Sequence, residues 1–150
     1  MKDKLISCST GFPAVSTETV GELLERSGVK PTAQRLAIAR VLAGACCHWS
    51  AEQVGDVVGA EVSRATVYNT LNLFREKRLI REVIVDPSKV FYDANTRPHY
   101  HLYEADSGKL SDIDAEHVQI IGMQPLPEGM VTEGIDLIVR IRRQADKSDS

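Results

Sequence analysis

The chain has 150 residues, 43% apolar and 26% charged, a soluble globular mixture long enough for one domain or two small ones. No apolar run approaches the roughly 18 residues that a membrane span requires, which excludes a membrane protein of helical type. The formal charge of −3 argues against nucleic acid for the whole chain, but up to Arg97 there are 13 basic and 11 acidic residues (+2) and beyond it 5 and 10 (−5), so only the first half suits phosphate.

Residues 1–16 read as a mobile arm, with an apolar stretch too weak and interrupted for a secretory signal, so a cytoplasmic location is expected. From Thr17 to Arg26 the positions Val20, Leu23 and Leu24 fall at helical spacing, and Gly28 follows as a stop. Thr32 is placed to cap a second helix whose Leu36, Ile38, Ala39, Val41 and Leu42 make one apolar face before Gly44. Ser50 with Gln53 is a capping box that opens a third, short helix through Val54, Val57 and Val58. Ser63 caps a fourth, running to about Lys77 with Val67, Leu71 and Phe74 inward.

The period then changes. Leu79 to Val85 and Lys89 to Asp93 are rich in β-branched and aromatic residues around the turn Asp86-Pro87-Ser88, which predicts a hairpin. Helices followed by a hairpin over residues 17–94 is the order of a winged helix-turn-helix domain, in which the last helix enters the major groove. Ala94 to Pro98 contains a linker at 95–98. Residues 99–144 then offer strands His99 to Glu104, Lys109 to Ile113 and Met130 to Arg142 with a short helix around His117, a small α/β domain ahead of a tail at 145–150. The expected fold class is therefore α+β. In the last strand Ile135, Leu137, Val139 and Ile141 share one apolar face that so small a domain cannot cover by itself, so this domain is expected to form a homodimer.

His48 precedes the third helix, and His99 and His101 open the second domain. Residues two apart on a strand share a face, so the latter pair offers two imidazoles to one ion while Tyr100 faces away. Asp93 and Asp112 are placed to complete a nitrogen and carboxylate shell suited to Fe(II), Mn(II) or Zn(II). Cys8, Cys46 and Cys47 contain no C-x-x-C, so neither a disulfide framework nor a thiolate zinc site follows from their spacing, and reduced thiols are expected. An oxygenase with two histidines and one carboxylate would use similar ligands, but the few short strands leave no pocket for a substrate, and no enzyme is expected. A winged-helix module without metal control is the remaining alternative.

Gly28-Val29-Lys30-Pro31-Thr32-Ala33-Gln34-Arg35, His48-Trp49-Ser50-Ala51-Glu52 and Ser63-Arg64-Ala65-Thr66-Val67-Tyr68-Asn69-Thr70-Leu71 resemble, in order and spacing, the ferric uptake regulator family, and the resemblance runs from Thr19 to Arg143. It implies a dimeric metal-dependent repressor of iron homeostasis or peroxide stress genes, with His48, Asp93, His99, His101 and Asp112 as the regulatory metal site. It implies Fe(II) or Mn(II) as cofactor, with Zn(II) also suited in purified protein, and a palindromic A/T-rich operator as partner. On DNA, Tyr68 is expected on a thymine methyl or sugar, Asn69 at a base edge, and Ser63, Arg64 and Thr66 at phosphates. Lys30 and Arg35 would lie near the backbone or minor groove.

The spacing of Asp93, His99, His101 and Asp112 is similar to the peroxide-sensing branch, whereas the stretch from Asp112 through Pro127-Glu128-Gly129 to Arg140 is more similar to iron response regulators that answer to haem and iron. Glu104 and Ser107 stand where the family's first C-x-x-C pair would be, which excludes a structural zinc held by four cysteines. The three consecutive histidines of the iron response regulators are here His99-Tyr100-His101, and there is no Cys-Pro motif, which tells against haem. Tyr100 and Pro98 also remove part of a further metal site, to which Glu116 and His117 remain as candidates.

Overall fold

The computed structural model describes residues 19–44 and 48–145. The expected arm, the start of the first helix at Thr17, the cysteines Cys8, Cys46 and Cys47, and residues 146–150 of the tail lie outside the described residues. The chain divides into two compact units, one ending at Arg97 and one running on from Pro98.

The first unit contains α1 (Val20–Arg26), α2 (Ala33–Leu42), α3 (Ala51–Val58) and α4 (Arg64–Glu76). Each begins where a side-chain oxygen accepts a hydrogen bond from an otherwise unsatisfied amide. Thr19 and Ser50 form reciprocal capping boxes with Glu22 and Gln53, while Thr32 accepts from the Arg35 amide and Ser63 from the Thr66 amide. Such caps contribute about 1 kcal/mol each. Helix α4 ends in a Schellman turn, with the Leu79 amide donating to the Phe74 carbonyl at 2.9 Å and Arg78 in the left-handed region at φ 57°. The apolar stripes meet in one core around Leu24, Ile38, Leu42, Val54, Val67, Leu71, Phe74 and Ile80.

Three antiparallel strands flank this core in the order β1 (His48–Trp49), β3 (Lys89–Asp93), β2 (Arg81–Asp86). The β2–β3 turn is held by Asp86, whose Oδ1 accepts from the Ser88 amide at 2.8 Å and from its hydroxyl at 2.6 Å. Strand β1 was not anticipated: two residues carry no alternation, and only the ladder that sets His48 opposite Asp93 and Trp49 opposite Tyr92 defines it.

In the second unit β4 (His99–Glu104) lies between β5 (Lys109–Asp114), its antiparallel hairpin partner, and β6 (Ile138–Ile141), which runs parallel to it. A single 3-10 turn, Ala115–His117, follows β5. The expected strand from Met130 to Arg142 is corrected to the four residues of β6. Only that stretch has β4 as a neighbour, the ladder being bounded by the bonds from the His101 amide to the Leu137 carbonyl and from the Ala105 amide to the Ile141 carbonyl. Among the described residues, 130–137 have no strand to pair with, so alternation of side chains there does not produce a ladder. Ile135, Val139 and Ile141 stand exposed. Among the described residues no helix is long and apolar enough to cross a membrane.

Candidate metal centre and nucleic-acid interface

Strand alternation places His99 and His101 on one buried face of β4, with Tyr100 and Leu102 on the other side and only half-buried. In the β4–β5 ladder Asp112 is the partner of His101, so the hairpin register brings a carboxylate to the imidazole pair. The His99 and His101 Nε2 atoms are 3.0 Å apart, and Asp112 Oδ1 lies 3.4 Å from the first and 3.8 Å from the second. All three residues are buried.

Two ring nitrogens and a carboxylate oxygen facing one point are held together either by a proton on one of the imidazoles or by a cation among them. Two ligand atoms at about 2.1 Å from one ion are about 3.0 Å apart at a right angle and about 3.4 Å apart at the tetrahedral angle. The spacings on this hairpin therefore fit a divalent ion, and nitrogen with oxygen donors suits the borderline to hard cations of the first transition row.

The first unit holds a second pair of donors. Register pairing of β1 with β3 sets His48 against Asp93, both buried, with His48 Nε2 3.3 Å from Asp93 Oδ2. Asp93 Oδ1 accepts the Asn95 amide at 2.8 Å, and Asn95 Oδ1 accepts the Arg97 amide at 3.1 Å. One oxygen of Asp93 is thus fixed by backbone, which aims the other at the imidazole.

Of the further candidates, Glu116 and His117 are exposed. They are joined by Asp114, which sequence reasoning missed: donor atoms of Asp114, Glu116 and His117 lie within 4.8 Å of one another, with His117 Nδ1 4.0 Å from Asp114 Oδ2. The usable signal was the i, i+3 spacing across the turn after β5.

On the first unit, Tyr68 is 48% exposed and Arg64 and Asn69 are exposed beside it on α4. Ser63 and Thr66, expected at phosphates, are engaged with each other: their hydroxyls are 2.8 Å apart, and Ser63 Oγ accepts the Thr66 amide at 3.1 Å. Arg35 donates to the Lys30 carbonyl at 3.1 Å, which holds its guanidinium beside the start of α2. Arg75 near the end of α4 is paired with Glu82 of β2. Tyr92, on β3, has its pKa raised above the ordinary phenol value, first by burial and then by the charges of Glu82 and Tyr68, against a lowering by Arg75. Two clefts flank α4, one of about 320 Å³ on the α3 side and one of about 250 Å³ on the α2 side.

Residues 26–139 match the model of the ferric uptake regulator family. The peroxide-responsive repressor PerR of Staphylococcus aureus is 30% identical over 110 residues, covering 71% of this chain and 73% of that protein. Among solved structures, the ferric uptake regulator of Pseudomonas aeruginosa with manganese superposes with a TM-score of 0.65 at 24% identity, covering 85% of this chain and all of that one. The Campylobacter jejuni peroxide stress regulator gives 0.56 at 20% identity over 85% of this chain and 95% of that one. At these identities the two structures show the shared fold.

Proposed function

Since the chain belongs to the ferric uptake regulator family, we propose that it is a transcriptional repressor whose grip on DNA depends on a divalent metal bound by His48, Asp93, His99, His101 and Asp112. The observation that carries this reading is the convergence of two imidazole nitrogens and one carboxylate oxygen on the β4–β5 hairpin, at spacings that fit a single ion. The buried His48 and Asp93 pair supplies the same kinds of donor from the N-terminal unit.

Bound there, Fe(II) or Mn(II), or Zn(II) in purified protein, supplies the positive charge that two buried carboxylates need. This chain's residues do the rest. Asp93 is preset by the Asn95 amide, and β-ladder register presents His99, His101 and Asp112 on one side. Donors contributed by both sequence segments make metal affinity depend on the arrangement the protein adopts, which is what allosteric linkage requires. A homodimer formed through the exposed apolar residues around β6 would present two copies of α4 to a palindromic, A/T-rich operator.

The peroxide-responsive relative and the presence of Asp112 favour peroxide as the signal over iron status, and either reading uses the same five ligands. The test is a DNA-shift assay against a randomised duplex library with and without Mn(II) or Fe(II) in the absence of oxygen. Metal-dependent retention of a selected duplex, abolished by His99→Ala, is expected; retention indifferent to metal in the parent protein would instead support a winged-helix module without metal control.

A further inference from the structure

The outward face of α4 is a narrow stripe. Ala65, Tyr68, Asn69 and Asn72 recur at i, i+3, i+4 and i+7 and are all exposed, while Val67, Thr70, Leu71 and Phe74 are buried opposite. Ala65 and Asn72 lie at the middle of the stripe, two turns apart, a separation of about 10 Å or about three base-pair steps. No lysine or arginine falls between Arg64 and Arg75, and Arg75 is engaged with Glu82.

The two flanking clefts differ in charge. The α3 side carries Glu52 and Asp56 together with Arg64; the α2 side carries Arg35 and no carboxylate. A helix in the major groove has a sugar-phosphate strand along each flank, and Arg35 on the α2 side and Arg64 on the α3 side are the cations there to meet them, with the central stripe of α4 toward the base edges.

Resting on the DNA-binding reading above, we propose that Ala65 and Asn72 are the central base-reading positions of this protein: Asn72 pairs with an adenine edge, and Ala65 seats against a thymine methyl about three steps away. The major-groove code supports the pairing. A carboxamide matches the adjacent acceptor and donor of adenine, guanine is matched by arginine or lysine, and a small methyl side chain packs on the thymine methyl. Alanine at position 65 also lets the helix come close, since a longer side chain at the front of the stripe would hold it out of the groove.

The experiment is enrichment of a randomised duplex library by the full chain loaded with Mn(II), with parent, Asn72→Ala and Ala65→Leu proteins compared, and circular dichroism to confirm that each is folded. The parent is expected to enrich A·T pairs at the positions under α4. Asn72→Ala should lose about tenfold to hundredfold in preference at one base pair of each half-site, with its affinity for unselected DNA unchanged. Ala65→Leu should lose affinity for every sequence. A parent that enriches guanine at the contacted positions, or an Asn72→Ala protein that enriches the parent's duplexes with undiminished preference, overturns the assignment alone. A parent that enriches no duplex overturns the DNA-binding reading and this inference with it.

Discussion

His48 and Asp93 are register partners in the short β1–β3 ladder, and their side chains meet with Nε2 3.3 Å from Oδ2. Asp93→Asn keeps the shape and the bond from the Asn95 amide but removes the charge that a cation would meet. Mn(II) affinity, measured by calorimetry on folded protein, should fall at least about tenfold. Unchanged affinity would remove Asp93 from the ligand set.

Alternation along β4 gives adjacent residues opposite fates. His99→Ala should abolish metal-dependent retention of DNA, whereas Tyr100→Phe, on the other face, should leave it intact. Equal sensitivity of the two variants in a shift assay would contradict the assignment of faces.

Ser63 closes the N-terminus of α4, and its loss should show as stability. Ser63→Ala is expected to cost about 1 kcal/mol in urea unfolding. Ser63→Asp should restore the cap and recover that stability, yet, on the proposed DNA-binding reading, weaken DNA binding by placing a carboxylate at the expected phosphate contact. A variant that lost both, or neither, would separate the cap from the interface differently.

Arg78 occupies a left-handed backbone position at the end of α4 that glycine adopts without steric cost. Arg78→Gly should raise stability by about 0.5 to 1 kcal/mol, read as a higher urea midpoint at unchanged slope. A lower midpoint would mean that the arginine side chain makes a contact worth more than the strain.

Exposed apolar side chains on β6 offer a direct probe of assembly. Ile141→Lys or Val139→Lys should shift sedimentation from dimer toward monomer at micromolar concentration and, with it, diminish retention of palindromic DNA. Dimers that persist in both variants would move the interface elsewhere.

Much of the first unit was legible because its helices announce themselves locally. Thr32, Ser50 and Ser63 act as caps, and Val67, Leu71 and Phe74 face the core, all set by interactions within four residues or by a simple period. The His99 and His101 face was legible for the same reason. What escaped depends on partners distant in sequence: β1 exists only through its ladder with β3, and the end of the chain pairs with β4 for four residues although its apolar alternation is longer. Asp93 was legible as a donor to the same shell as His48, but not as its direct neighbour, for which the two-residue ladder supplies the physical cause.

If the proposed cation binds at this hairpin, its register would also act as a check on folding. Because side chains alternate with a period of two, a slip of one residue between β4 and β5 would turn both imidazoles outward and carry Asp112 away from them. A misthreaded chain would then lack the proposed site and any stabilisation that a bound cation would confer, so cation loading would distinguish well-made molecules from faulty ones.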